Sequence, residues 1–465
     1  MQPNSVIGLL FWGFLLLYGV LMVLLSPRAV TVGGFFNGED SQGRSAAPWL
    51  LTSSIFISWI FAKSVTNAAN LGASYGLVGG LAYATYWLSI PLAGFVIYRL
   101  RRRYAATSLV SFLSSHYGRG AALAFSAAIL IRLFNEVWSN TAVVGGYYGD
   151  AGSLEFIGAA LLFTAVTLAY SLRGGLRSSI LTDAAQAAIF IVALIWVLGL
   201  VLPQHSAQEL ASTSHWALDA GVDLLLVAGL QIFSYGFHDP VLTDRGFISE
   251  ERTMRRSFVI AGVLGFGAIL AFSLIGVHAQ LTGLAASDNV PAALAKSLGV
   301  AALMVMTVVM VSAAGSTLDS TFSSLAKLAG RELPSLAGRD LGQKAIGVGM
   351  AVMVLFALLG NLPMIAGTDI LKATTISGTM VIGLAPVFIL HGLVRPTRLG
   401  FHLSFWIGLL LGLALTFGWI PSSWAIGEGK YALLLGTNLY GLLLCILGYL
   451  LPGLIHSTAP ARRLS

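Results

Sequence analysis

Val6-Ile-Gly-Leu-Leu-Phe-Trp-Gly-Phe-Leu-Leu-Leu-Tyr-Gly-Val-Leu-Met-Val-Leu-Leu25 runs through the first part of the chain without a charged residue. A helix rises 1.5 Å per residue, so about twenty residues cross a hydrocarbon core of roughly 30 Å. A secretory leader is the rival explanation. Leaders start with a basic segment, carry a shorter apolar stretch and end at a small-residue cleavage site. Here the first charge is Arg28, after the run, and no such cleavage site follows. The run is expected to remain as a membrane helix.

Similar runs recur to the end of the chain. Spans are expected at about 6–25, 48–74, 77–99, 121–147, 154–171, 178–202, 221–240, 257–282, 299–328, 344–360, 368–393, 400–420 and 431–452. The fold class is therefore all-α: one polytopic transmembrane domain over residues 1–465 with about 13 helices. Hydrophobic residues make up 57% of the chain and charged residues 10%, against roughly 45–50% and 25% in soluble domains. The 53 glycines suit helices that pack closely in lipid. Cys445 is the lone cysteine, so no internal disulfide can form. No soluble domain interrupts the spans. Neither a His/Cys metal cluster nor a phosphate-binding loop is present, so an enzyme is not expected.

The net charge of +7 is explained by topology, not by nucleic acid. With the N-terminus outside, the inside connections hold Arg28, Arg44, Arg99, Arg101, Arg102, Arg103, Arg119, Arg173, Arg177, Arg245, Arg252, Arg255 and Arg256. Lys327, Arg331, Arg339, Lys344, Arg395, Arg398, Arg462 and Arg463 complete the inside set. The outside connections hold only Lys296 and Lys430. This asymmetry predicts a protein of the bacterial inner membrane with a cytoplasmic C-terminus. Lys63, Arg132 and Lys372 fall inside spans, where a cation costs roughly 2.5–3.5 kcal/mol and needs a partner or a watery cavity.

Span two is polar in its middle: Ser58, Lys63, Ser64, Thr66, Asn67 and Asn70. Either this helix is broken and its freed backbone lines a site, or the groups bond to neighbouring helices. In span nine, Ser316, Asp319, Ser320 and Ser323 share one helical face. Such an oxygen stripe suits a hard cation like sodium; alternatively Asp319 bridges to Lys63. Span four has Arg132 and Glu136 at i, i+4, with Asn135 and Asn140 nearby. They form an ion pair with each other, or Arg132 receives a substrate carboxylate. Asp183 sits about two turns into span six, a depth that marks an ion path. Gly236 and Pro240 interrupt span seven, where Gln231, Ser234 and Tyr235 face a cavity. His238 and Asp239 form a helix-terminal turn or relay protons. In span eleven, Asp369 and Lys372 pair near the outer end or form an outer gate.

Several runs carry a family likeness. Gly174-Gly-Leu-Arg-Ser-Ser-Ile-Leu-Thr-Asp-Ala-Ala-Gln186 resembles the Gly-Gly…Thr-Asp-x-x-Gln signature of the sodium:solute symporter family. Ala313-Ala-Gly-Ser-Thr-Leu-Asp-Ser320 is similar to its small-residue and paired-hydroxyl run. His238-Asp-Pro…Arg245 resembles its loop after span seven, and Ser111-Phe-Leu…Tyr117-Gly118 its short amphipathic segment.

The resemblance implies a leucine-transporter-type core of two inverted five-helix repeats. These would occupy 48–202 and 221–394, with peripheral helices in 1–30 and 399–455. It implies a main sodium site at the Trp59, Ala62 and Ala313 carbonyls and the Ser316 and Thr317 hydroxyls. A second sodium site would use Asp183 and Ser320, with Asp319 where the family often has a serine. Lys63 departs from the family pattern. Two unit charges about 4 Å apart repel by roughly 4 kcal/mol at an effective dielectric of 20. An ammonium in the main site would therefore oppose sodium unless it were neutral or turned away. Lys63 would then couple protons or replace the sodium, with Asp319 or Asp183 as its partner.

The function expected is secondary active transport of a small polar solute, carboxylate-bearing if Arg132 meets it, by cation-coupled alternating access. Thr66, Asn67, Arg132, Asn135, Gln231, Ser234 and Tyr235 would line the solute site. Lys63, Asp183, Asp319 and Glu136 would couple it to Na+, to H+ or to neither. The rival classes are an uncoupled facilitator and a transporter-derived sensor. The partners expected are the solute and the bilayer.

Overall fold

A computed structural model describes residues 6–284, 287, 289–365 and 378–458. Among these the chain is helices and turns, with no strand. Ten helices are long and apolar enough to cross a membrane. Polarity is arranged for lipid: Ile131 is 70% exposed while its neighbour Arg132 is 4% exposed.

The first crossing is α1 (Val6–Leu25). The second is broken. It comprises α2 (Pro48–Ser58) and α3 (Ala62–Ala84), separated at residues 59–61. Phe61 takes an extended backbone, so the Ser58 carbonyl lies outside a regular helical ladder. A 43-residue apolar stretch, Ala62–Tyr104, contains two crossings. They divide at Gly76, whose φ of +61° falls in the left-handed region that glycine adopts at no steric cost. The third crossing finishes with α4 (Ser89–Tyr104). The short helix α5 (Leu109–Tyr117) follows, fixed by a capping box between Ser108 and Ser111. Three long helices complete this half: α6 (Arg119–Gly145), α7 (Leu154–Gly174) and α8 (Leu176–Val201).

The second half begins with another broken crossing. α9 (Val222–Tyr235) ends at Gly236, and α10 (Pro240–Thr243) resumes after Asp239. Pro240 at the first helical position lacks the N–H that would be orphaned there, and the Asp239 carboxylate caps the next one, Val241 N, at 3.1 Å. Then come α11 (Glu251–Leu281), α12 (Val300–Lys327) and α13 (Lys344–Leu359). The described part of the eleventh crossing includes α14 (Leu384–Ile389). Asp369 and Lys372 lie outside the described residues. α15 (Arg398–Thr416) and α16 (Ala432–Thr458) close the chain. Both interruptions predicted from polar and Gly/Pro residues are therefore breaks in the backbone. A count of about thirteen follows from the ten long helices, the division at Gly76, the broken α9–α10 crossing and the partly described eleventh crossing.

Close backbone approach holds α3 against α11. A Cβ on Gly276 would lie 1.8 Å from the Ala69 carbonyl, and one on Gly72 would lie 2.1 Å from the Ser273 carbonyl. α8 packs along α12, which brings the Thr-Asp run of the sixth crossing beside the hydroxyl run of the ninth. Two basic residues assigned above to cytoplasmic connections are buried. Arg245 is 0% exposed and Lys327 is 9% exposed. The segment after α10 folds back into the bundle, so its charge acts in the core. Lys327 bonds Asp244 at 2.6 Å and lies 3.9 Å from Glu332.

Candidate functional site

Two buried charge clusters flank the broken helices. The first joins α2, α8, α12 and the segment after α10. Asp183 on α8 accepts from Ser54, from Ser316 and, at 3.1 Å, from Arg245 Nη2. Arg245 also donates to Ser54 Oγ at 2.7 Å, to Ser320 Oγ at 2.7 Å and to the Val241 carbonyl. Asp319 on α12 accepts from Ser179 at 2.6 Å and from Thr182 and Tyr170 at 3.0 Å each. Its partners are all neutral hydroxyls. The cluster thus holds two carboxylates and one guanidinium, all fully buried. A buried charge without compensation is costly, and here one guanidinium faces two carboxyl groups.

Next to it are the oxygens expected for the main sodium site. Thr317 Oγ1 lies 3.1 Å from the Ala313 carbonyl and 3.3 Å from the Ser58 carbonyl. Ser316 reaches Asp183, which links this group to the first cluster. The carbonyl that Thr317 meets belongs to Ser58, one residue before the Trp59 position expected. Trp59 uses its indole N–H on Asp239 at 3.0 Å, and the Ala62 N–H binds Asn140 Oδ1 at 3.2 Å.

The second cluster lies across α3, α6 and the turn before α10. Lys63 Nζ is 2.6 Å from Glu136 Oε1 and 3.2 Å from Ser139 Oγ. Arg132 contacts the same Glu136 oxygen and donates to Asp239 Oδ2 at 3.1 Å. Asn140 holds the other Glu136 oxygen at 2.9 Å. The ring of Phe61 lies under both cations, 5.4 Å from Lys63 Nζ and 5.2 Å from the Arg132 guanidinium. Lys63 therefore turns to Glu136, and not to Asp319 or Asp183. Two basic side chains meet two acidic ones, so the formal charges of this cluster balance. The i, i+4 pair of Arg132 and Glu136 is present, and Arg132 Nε still lacks a hydrogen-bond partner among the described residues. Asp239 caps a helix, as a turn residue should, and also ties Arg132 and Trp59 to the second broken crossing.

An aromatic wall adjoins this cluster. Tyr235 packs on Trp59 at 5.9 Å, Tyr86 at 5.2 Å and His238 at 5.1 Å between ring centres. His238 donates from Nδ1 to the Tyr235 carbonyl at 2.7 Å, and its buried Nε2 is without a partner among the described residues. Gln231 accepts from Tyr86 at 2.9 Å and donates to Asn438 at 2.9 Å. Ser234 bonds the Gln231 carbonyl at 3.2 Å. Asn67 donates to Tyr83 at 3.3 Å, and Thr66, half-buried, bonds the Ala62 carbonyl at 3.3 Å. Asn135 is half-buried. The structure brings Arg132, Tyr235 and His238 around Asp239. It ties Gln231 and Ser234 into a separate chain that reaches Asn438 on α16. Two contributors escaped sequence reasoning: Arg245 as a core residue, and Trp87, which packs on Trp59 at 6.0 Å.

The model of the sodium:solute symporter family matches residues 41–312. The chain belongs to that family. The match includes both broken helices, Lys63, Glu136 and Asp183, and it stops one residue before the Ala313–Ser320 run. Among relatives, this family member is 24% identical over 192 residues to sodium/glucose cotransporter 1 of Mus musculus, which covers 41% of this chain and 28% of that protein. It is 22% identical over 195 residues to the urea active transporter of Saccharomyces cerevisiae, covering 41% of this chain and 25% of that one. The chain thus aligns with only about a quarter of these relatives' own length. Solved structures extend the likeness in fold. A substrate-bound, outward-open Na+-coupled sialic acid symporter superposes with a TM-score of 0.77 over 100% of both chains, at 13% identity. A nucleobase-cation-symport-1 family transporter in a closed conformation gives 0.54 over 94% of this chain and 96% of that one, also at 13% identity. Family, fold and long apolar helices agree on a protein integral to a membrane.

Proposed function

We propose that this family member is a secondary active symporter that moves a small polar, carboxylate-bearing solute with sodium by alternating access. The observation that carries the coupling is the placing of two buried carboxyl groups, Asp183 and Asp319, against one guanidinium, Arg245, beside the Thr317, Ala313 and Ser58 oxygens. Sodium is here a co-transported substrate, held by hard oxygens. The contact of Lys63 with Glu136 weighs against an ammonium standing in for that ion. The carboxylate follows from Arg132, a buried planar fork with Nε unpartnered among the described residues. Trp59, Tyr235 and His238 would enclose the rest of the solute. The two rocking units would be 48–202 and 221–394, each opening with one broken crossing. The N-terminus would lie outside a bacterial inner membrane and the C-terminus in the cytoplasm, since the basic connections alternate.

The test is uptake by the full chain in proteoliposomes across a solute panel, with sodium and proton gradients imposed separately. A sodium gradient should drive accumulation of at least one carboxylate. If neither gradient affects the flux of any solute, the symport reading fails and an uncoupled facilitator replaces it.

A further inference from the structure

The neutral cluster has a consequence for an anionic solute. Its charges, Lys63 and Arg132 against Glu136 and Asp239, are paired among themselves. A solute carboxylate that docks on Arg132 brings a third anion into a volume with two cations. Stranding an uncompensated charge in a buried site is unfavourable, so a proton must join one of the three. Asp239 is poorly placed to take it. One of its oxygens caps the Val241 N–H, and the other accepts from Trp59 and Arg132. Asp183 and Asp319 share no hydrogen bond with Glu136 among the described residues: Asp183 bonds Arg245, and Asp319 bonds hydroxyls.

Glu136 faces Lys63 from α3, Arg132, Ser139 and Asn140 on its own helix, and the Asp239–His238 turn beyond Arg132. A solute on Arg132 competes with Glu136 for that guanidinium and leaves Lys63 as its one basic partner. We propose that Glu136 takes up one proton as an anionic solute binds at Arg132, so that carboxylate and proton travel together and the cluster stays neutral. The empty carrier holds Glu136 on Arg132; the loaded carrier holds the solute there and a protonated Glu136 beside Lys63. This rests on the carboxylate reading above. It adds a proton to the sodium coupling and assigns it to a residue of the solute site.

The test uses the purified full chain in detergent and reads tryptophan fluorescence, since Trp59 adjoins the cluster. Acetate, glycolate, L-lactate, pyruvate and benzoate are titrated, with glycerol and urea as uncharged controls. The range is about pH 6 to about pH 8, above the carboxyl range near 4. A carboxylate that binds should lose affinity about tenfold per pH unit on the alkaline side, the linkage slope for one proton. Glu136→Gln, which is neutral at every pH, should flatten that slope. Should the variant not fold, proton uptake by the wild type in weakly buffered solution decides: about one proton per bound carboxylate is expected. A carboxylate that binds with a flat profile and no proton uptake overturns the inference and leaves the carboxylate reading standing. So does a slope that survives in Glu136→Gln. If no carboxylate binds, both fall together.

Discussion

Lys63 Nζ sits 2.6 Å from Glu136 Oε1, with both side chains buried, so the amine at the helix break belongs to the Glu136–Arg132 cluster, while Thr317 meets the Ser58 and Ala313 carbonyls. Its removal therefore acts on stability more than on the ion. Breaking a buried pair from one side costs about 3–5 kcal/mol, and Arg132 should hold part of Glu136 in place. Lys63→Ala is expected near the lower end, measured as a fall in melting temperature of the purified chain. Sodium dependence of uptake should persist. Lys63→Met with Glu136→Gln, which empties the pair of charge from both sides, should be more stable than Lys63→Ala alone. If the double variant is the less stable one, the pair is not the source of the loss.

Thr317→Ala removes the hydroxyl between the Ala313 and Ser58 carbonyls. That hydroxyl is small and lies among oxygens, so folding should change by about 1 kcal/mol, the usual worth of one neutral hydrogen bond. The apparent sodium affinity of uptake should fall at least tenfold, which the sodium concentration at half-maximal rate reports. An unchanged sodium curve would place the ion elsewhere in the bundle.

Asp319→Asn tests the surplus charge. The side chain keeps its size: its one carbonyl oxygen can still accept from Thr182 and Tyr170, while its amide N–H would donate to Ser179 Oγ. It leaves Asp183 and Arg245 as a balanced pair. The variant should fold at least as well as the parent in the absence of sodium, and the stabilisation that sodium gives the parent should shrink, because ligand-linked stability scales with the affinity of the folded state. The measurement is melting temperature with and without sodium for both chains. Equal sodium-induced shifts would show that Asp319 is not part of the ion site.

What could be read along the sequence and what could not divides by distance. Breaks in two crossings were legible because a local run, Ser58–Asn70 or Gly236–Pro240, carries its own cause: polar groups that lipid rejects, or a glycine and a proline that a helix tolerates poorly. The identity of charge partners was not. Lys63 and Glu136 are 73 positions apart, and the angle of the broken helix decides whether the ammonium meets Glu136 or Asp319. Arg245 counts, in the sequence, as one more basic residue in an inside connection. Its burial depends on α10 and the following turn folding back between α2 and α12, which no local pattern announces.

The contact of α3 with α11 gives a last expectation, argued from two glycines on one helix. Gly276 faces α3, where an added Cβ would lie 1.8 Å from the Ala69 carbonyl and 2.7 Å from its carbon. Both are backbone atoms and cannot swing aside, so the helices must separate. Overpacking of this kind costs about 1–3 kcal/mol and occasionally more, and Gly276→Ala should sit at the top of that range. Gly267, also on α11, has nothing within 4 Å of the same added atom and faces outward. There alanine meets no clash and gains helix propensity of about 1 kcal/mol over glycine, so Gly267→Ala should hold or raise the melting temperature. The two substitutions are chemically identical and nine positions apart. A similar loss in both would mean that glycine is needed along α11 for its backbone and not for the approach of α3. A loss confined to Gly276→Ala assigns it to the close packing that sets the first broken helix against the second half of the chain.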